Sequence, residues 1–282
     1  MCLTPVWIPF KNGGYRNLTG HYVNCGKCVE CLKSKQRNWF ARFWCEERYQ
    51  KRVNPKSLTL FITFTYDEAN LAKTRENALN DFRALVKKIK RHWKGCPVRY
   101  YAVTENGSLK GRLHFHTLFF GIDLNLFNEL PDKVFAKFWT KGFIECEIAT
   151  TRTFHYVSKY VTKDLDVSPL SEEEKWKPLV LSSRHPALGV PFFTNAHISY
   201  YNHNSDKLFI IVNGYKYSLP RYYRELLLND ENLFFSKTHS RYADQTEQKR
   251  LKAEKLANSI KNLYSLKKLK NKYVREQRKN SD

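Results

Sequence analysis

The amino-acid sequence predicts an α+β fold: a central antiparallel sheet with packed helices, flanked by an N-terminal cysteine-rich module and a basic helical tail. Three observations predict it. Runs of β-branched and aromatic residues alternate with helical periodicity between residues 57 and 165. Two of those runs are joined by a short linker of turn residues, which makes them antiparallel neighbours. Three cysteines crowd into CGKCVEC just ahead of a basic, aromatic helical stretch.

Taken in order, residues 1–24 read as irregular, because Pro5, Pro9, Gly13, Gly14 and Gly20 break any period. From Cys28 to about Lys51, CVECLKSKQRNWFARFWCEERYQK has the spacing of an amphipathic helix with basic residues on its outer face. SLTLFITFTY at 57–66 reads as a central strand. The next run, 74–95, repeats Leu79, Phe82, Leu85, Val86 and Ile89 at helical spacing, and Gly95 with Pro97 stops it. VRYYAVTE (98–105) and RLHFHTLFFGI (112–122) form a hairpin around NGSLKG, whose Asn, Ser and Gly suit a reversal. A short helix at DKVFAKFW leads into the strand GFIECEIAT, and TFHYVSKYVTKDL (153–165) is helical.

The resulting order, β, α, β, β, α, β, α, divides the chain into four parts. Residues 1–52 form the cysteine-rich module with its basic helix, and 53–166 the α+β core. Residues 167–245 form an accessory region with a small hairpin at KLFIIVNGYKYSLP. Residues 246–282 are Lys-rich with sparse leucines, either a basic helix or a partly disordered tail.

Charge narrows the partners. The chain carries 49 Lys and Arg against 27 Asp and Glu, a formal net charge of +22, which favours polyanions, with nucleic acid the first expectation. No apolar run approaches the ~20 residues of a transmembrane helix, so no membrane partner is expected. The start MCLTPVWIPF has neither the basic residues nor the apolar stretch of a secretory signal, which predicts a cytoplasmic protein. Clustered thiols in a reducing compartment point to metal rather than disulfides.

RLHFHTLFF poses the sharpest question in the sequence. Side chains at i and i+2 of a strand share a face, so His114 and His116 project together and Phe115 goes to the opposite layer. If Gly107 pairs with Arg112 around a four-residue loop, Glu105 lies opposite His114 and three donors converge. Imidazoles and a carboxylate with open positions suit Mg²⁺ or Mn²⁺ working on a phosphate, and the same ligands would accept Zn²⁺. The ordinary alternative is a histidine pair on a solvated face.

HYVSKYVTK places Tyr156 and Tyr160 four residues apart on a helix, and Lys159 and Lys163 likewise. Residues at i and i+4 share a face, so both hydroxyls reach one region. A phenol near its free pKa of about 10 is a weak nucleophile, and a cation or a polarised phosphate lowers the barrier to its attack. The ordinary alternative is the core stripe of an amphipathic helix. The doubled Tyr-x-x-Lys in a chain with a polyanion field and a metal-ligand set favours chemistry.

In that order, FITFTYDE, then His-Phe-His, then the doubled Tyr-x-x-Lys resemble the three motifs of HUH endonucleases that start rolling-circle replication. The two-tyrosine form is similar to the initiators of small single-stranded DNA bacteriophages. MCL at the start and CGKCVEC before the basic helix resemble the replication proteins of the gokushovirus branch of the microviruses. The resemblance covers roughly residues 1–165. It implies the ferredoxin-like HUH fold, His114 and His116 as metal ligands with Glu105 in a more variable third position, and Tyr156 and Tyr160 as nucleophiles. It further implies a metal-dependent, site-specific nick in viral origin DNA, single-stranded or in the double-stranded replicative form. The nick leaves a 5′-phosphotyrosine and a 3′-OH that primes the host DNA polymerase. A second tyrosine then allows re-cleavage and joining of the displaced strand. The chain has no GxxxxGK[ST] phosphate loop, so a host helicase is expected to open the duplex.

Cys25, Cys28 and Cys31 follow a Cys-x-x-Cys-x-x-Cys spacing, and Cys2 completes four sulfurs if the N-terminus folds back, a candidate structural zinc site. Free thiols and an iron–sulfur cluster are the competing readings. Cys45, Cys96 and Cys146 read as isolated thiols. Lys33, Lys35, Arg37, Arg42, Arg48 and KKIKRHWK interleave with aromatics, a composition that grips phosphates and stacks unpaired bases. Two other functional classes fit less of the pattern: a non-catalytic zinc-containing nucleic-acid-binding protein, and a relaxase or transposase of the same chemistry.

Overall fold

The structure, a computed structural model, describes residues 2–9, 20–93, 98–106, 112–123, 125, 130–161 and 179–238. It opens with strands β1 (Val6–Pro9) and β2 (Gly20–Val23), followed by the long helix α1 (Val29–Val53). Then come β3 (Ser57–Tyr66), α2 (Arg75–His92), β4 (Arg99–Asn106), β5 (Leu113–Asp123), α3 (Pro131–Ala136), β6 (Gly142–Ile148) and α4 (Thr151–Tyr160). The remainder holds β7 (Val180–Ser182), a 3-10 turn at Val190–Phe192, α5 (Asn195–His203), β8 (Phe209–Val212), β9 (Tyr215–Ser218), α6 (Arg221–Leu227) and α7 (Asp230–Thr238). The chain divides into two compact units, one of residues up to Lys33 with those from Asp230 onward, the other of Ser34–Asn229.

The central unit is built on a five-stranded antiparallel sheet in the order β6-β3-β5-β4-β7. The α+β expectation holds. Its middle strands follow from alternation in the sequence. In β3, Leu60, Ile62, Phe64 and Tyr66 point to one face and are buried, while Phe61, Thr63 and Thr65 point to the other. The first face is covered by α2, whose Phe82, Leu85, Val86 and Ile89 recur at helical spacing and are all buried. Burying each such side chain stabilises the fold by ~1.5–3 kcal/mol. Helix α2 starts where Thr74 accepts a hydrogen bond from the Asn77 N–H.

The opposite face is covered at one end by α1. Phe43 packs against Tyr101, Phe120 and Phe154, at 4.7, 6.2 and 6.0 Å between ring centroids. Phe40 stacks on His155 of α4 at 4.0 Å. The other end of this face carries the polar side chains of β3, β4, β5 and β6.

Behind α1 lies a buried polar network. Glu46 is fully buried and accepts from Arg99 Nε at 2.6 Å, from Gln50 Nε2 at 2.8 Å and from the Gly189 N–H at 2.7 Å. Arg99 also donates to the Pro186 carbonyl at 2.7 Å. Gly189 has φ +78°, and a Cβ there would collide with the Tyr223 hydroxyl, so only glycine fits this turn. The network ties α1 and β4 to the segment that follows β7.

Several readings of the sequence are refined here. Residues 1–24 are not wholly irregular: β1 and β2 pair antiparallel, with Trp7 opposite Tyr22 and their rings 4.9 Å apart. Pro5, Pro9 and Gly20 bound or end these four-residue strands rather than interrupt them, and strands so short leave no periodic signal. The NG hairpin of the accessory region is present as β8–β9, with Asn213 and Gly214 at positive φ. Strand β7 has only three residues and extends the main sheet by pairing with β4. The linker 107–111, Cys96 and the basic tail 246–282 lie outside the described residues. Among the described residues, no helix is long and apolar enough to cross a membrane.

Candidate active site

The polar end of the sheet is set by strand register. Glu105 of β4 pairs with His114 of β5, which pairs with Thr65 of β3. One step along, Val103, His116, Thr63 and Glu145 form the next cross-strand row. Paired residues share a face, so both histidines, Glu105 and the two threonines project together. The register expected from the hairpin linker, Glu105 opposite His114, is the one found.

Glu105 Oε2 lies 2.8 Å from His116 Nε2 and 3.3 Å from His114 Nε2. The far nitrogen of each ring is engaged elsewhere. His114 Nδ1 is 3.1 Å from the Arg112 carbonyl oxygen, and His116 Nδ1 is 3.3 Å from Thr63 Oγ1. A carbonyl can only accept, so His114 carries its proton on Nδ1 and turns the Nε2 lone pair toward the carboxylate. Two acceptors facing one another need a cation between them. The ligand atoms of Glu105, His114 and His116 all lie within 4.8 Å of one another, and this donor set fits a divalent metal ion.

Helix α4 lays its tyrosines over this cluster. It begins with a capping box in which Thr150 and Thr153 exchange hydrogen bonds, which fixes where the helix starts relative to β6. Tyr160 is 5% exposed, and its ring stacks on His116 at 4.5 Å between centroids. Tyr156 is 44% exposed, with its ring 5.8 Å from His116 and 5.0 Å from Tyr160. The Tyr160 hydroxyl donates to that of Tyr156. Burial, the bond to Tyr156 and the nearby Glu105 charge push the Tyr160 pKa well above its ordinary value, so its phenol stays protonated.

A cleft opens in front of these groups. His114, His116 and Tyr156 line it with Phe61, Thr63 and Thr65, and its rim adds Glu145, Glu147, Arg152 and Thr153. Lys159 is exposed on α4, and Lys163 lies outside the described residues. The cation among the lining residues is Arg152, four positions before Tyr156. Sequence reasoning missed Arg152, Thr63, Glu145 and Glu147. Arg152 could have been found by extending the i, i+4 stripe one turn toward the N-terminus, and the two glutamates by the alternation of GFIECEI.

In the N-terminal unit, Cys2, Cys25, Cys28 and Cys31 are brought together with their sulfurs within 4.8 Å of one another, a second group able to hold a metal ion. Cys45 is buried, and burial pushes the Cys146 thiol up to about 12, so both are inert thiols. On α1, Arg42 lies 4.5 Å over the Trp39 ring and Arg48 5.2 Å over that of Trp44. The basic run of α2 leaves Lys87, Lys88, Lys90 and Arg91 exposed.

An antiparallel sheet that presents two histidines and a carboxylate beneath a pair of helical tyrosines defines a class before any relative is compared. Residues 59–165, which hold all of these groups, match the family model for the replication-associated protein ORF2. The chain is homologous to replication-associated proteins of small bacterial viruses. It is 26% identical over 228 residues to replication-associated protein ORF4 of Chlamydia phage 1, covering 72% of this chain and 53% of that protein. It is 28% identical over 162 residues to replication-associated protein ORF2 of Spiroplasma virus 4, covering 51% and 49%. To replication-associated protein VP4 of Bdellovibrio phage phiMH2K it is 23% identical, covering 91% and 84%. The match thus spans about half the length of the first two relatives. No solved structure matches the chain.

Proposed function

We propose that this protein initiates rolling-circle replication of a small circular single-stranded DNA phage, acting in the host cytoplasm as a nicking and joining enzyme on the viral origin. The observation that carries the proposal is the convergence of Glu105, His114 and His116 with the hydroxyls of Tyr156 and Tyr160 at one cleft. Homology to replication-associated phage proteins supports the same reading.

Glu105, His114 and His116 would hold Mg²⁺ or Mn²⁺, which when bound supplies Lewis-acid polarisation of a phosphate oxygen. The chain's own residues do the rest. A tyrosine oxygen attacks phosphorus, the bond to the 3′ oxygen breaks, and the phenolic proton leaves to solvent while the departing 3′ oxygen takes one up. The products are a 5′-phosphotyrosine and a free 3′-OH. Tyr156 acts first, because its hydroxyl lines the cleft while Tyr160 is buried against His116. Tyr160 holds the Tyr156 oxygen in place through their hydrogen bond and becomes the second nucleophile once Tyr156 is esterified. The second cleavage releases a 3′-OH that attacks the first phosphotyrosine and closes the circle. Bond energy is conserved in the ester, so joining needs no nucleotide cofactor. Arg152, with the lysines at positions 159 and 163, positions the phosphate, and host helicase and polymerase supply unwinding and synthesis.

The test is incubation with labelled single-stranded fragments of the parent replicon and Mn²⁺ or Mg²⁺, followed by a denaturing gel. A covalent protein–DNA band that requires the ion and disappears in the Tyr156→Phe/Tyr160→Phe variant is expected. Tight DNA binding with no covalent band on any fragment would leave a binding protein instead.

A further inference from the structure

We propose that Cys2, Cys25, Cys28 and Cys31 form a closed tetrathiolate site for a structural Zn²⁺ ion, sharing no residue with the nuclease cleft and independent of the nuclease reading.

The first support is the spacing of the sulfurs. Cys25 Sγ lies 3.9 Å from Cys31 Sγ, and Cys28 Sγ lies 3.8 Å from Cys2 Sγ. A tetrahedron with zinc–sulfur bonds of about 2.3 Å has edges of about 3.8 Å. Disulfides require about 2.05 Å, and all four cysteines are free. Paired thiols packing for their own sake have no reason to adopt the edges of a tetrahedron twice.

The second support is a shell of backbone donors. The N–H of Cys25 points to Cys2 Sγ at 3.2 Å, that of Cys28 to Cys25 Sγ at 3.3 Å, that of Lys27 to Cys25 Sγ at 3.4 Å, and that of Leu3 to Cys28 Sγ at 3.4 Å. Neutral thiols are weak acceptors and do not gather four amide donors, whereas metal-bound thiolates carry the charge that does. The turn that aims two of these amides at Cys25 depends on Gly26, whose φ of +76° bends the chain between the two cysteines.

The third support is what surrounds the site. Cys2 precedes β1, Cys25 and Cys28 lie in the loop after β2, and Cys31 sits in the first turn of α1. The side chains of the strand pair face solvent, with Val6, Trp7, Ile8 and Tyr22 between 42% and 51% exposed, while Cys2 and Cys31 are buried. A short ribbon with its apolar residues outside needs another source of cohesion, and a metal that joins residue 2 to residues 25–31 supplies it. Zinc suits the role because it is redox-silent and takes closed tetrahedral thiolate sets in structural sites.

The test is elemental analysis of the full-length protein purified without added metal or chelator. One zinc per chain is expected, retained in the His114→Ala/His116→Ala variant and lost in Cys25→Ser/Cys28→Ser. Titrating folded wild type with a thiol-directed mercurial, with a chromogenic chelator present, should release that one equivalent without relying on a variant that folds poorly. Cobalt substitution should give sulfur-to-metal charge-transfer bands and the strong visible absorption of a tetrahedral site. Absence of zinc, iron in its place, or zinc that follows the histidines rather than the cysteines would overturn the proposal.

Discussion

Tyr160 lies flat against the His116 imidazole, with ring centroids 4.5 Å apart and planes 29° from parallel, and its hydroxyl donates to Tyr156. Two tyrosines one helical turn apart are therefore not equivalent. The outer one meets the cleft and the inner one packs beneath it. From this asymmetry the singly substituted enzymes should fail at different steps. Tyr156→Phe is expected to lose the first covalent adduct, by at least two orders of magnitude in rate. Tyr160→Phe should still form that adduct but fail to release closed circles. Following both products on an origin-bearing substrate with two cleavage sites checks the order, and the reverse pattern would refute it.

Thr63 touches the metal-ligand set only through His116, at 3.3 Å from Nδ1. Replacing it by valine keeps the volume and removes the hydroxyl, which should weaken Mn²⁺ binding by ~10–100-fold. Thr63→Ser should restore it. Metal titration by calorimetry or Mn²⁺ paramagnetic resonance reads this directly, without a cleavage assay.

Arg152 lines the cleft beside Tyr156. If it grips a phosphate of the bound strand, Arg152→Ala should reduce the slope of log affinity against log salt for single-stranded DNA by about 0.7, the release of one counterion. Lys87→Ala, on exposed helix α2 away from the cleft, should leave the rate of adduct formation unchanged. Fluorescence anisotropy across a salt series measures the first effect, and gel kinetics the second.

Glu46 accepts from Arg99, Gln50 and Gly189 while fully buried. Glu46→Ala leaves the Arg99 guanidinium without its carboxylate in a dry site, a loss of ~3–5 kcal/mol. Thermal or urea unfolding should show the drop, and Glu46→Gln should recover part of it.

The parts of this architecture legible in the sequence are those governed by local rules. His114 and His116 share a face because a strand alternates, and Glu105 faces them because the intervening linker has the length and composition of a hairpin loop. The helix α2 announces itself through Phe82, Leu85 and Ile89. Pairings set by distant segments were not legible. Strand β7 meets β4 through Leu181 and Ala102, a contact that three residues of sequence cannot encode by pattern. The tyrosine asymmetry was hidden for a different reason. Positions i and i+4 differ by about 40° around a helix, which is enough to turn one ring into the sheet and leave the other in the cleft. Only packing against His116 decides which is which.

The measurement that tests the account most directly is mass spectrometry of the protein after reaction with origin DNA and Mn²⁺, followed by nuclease trimming and proteolysis. The account predicts a peptide containing Tyr156 that carries a phosphodeoxynucleotide on the phenolic oxygen, absent when the ion is chelated. Cleaved DNA with no modified peptide, or a nucleotide on a residue other than Tyr156 or Tyr160, would contradict it.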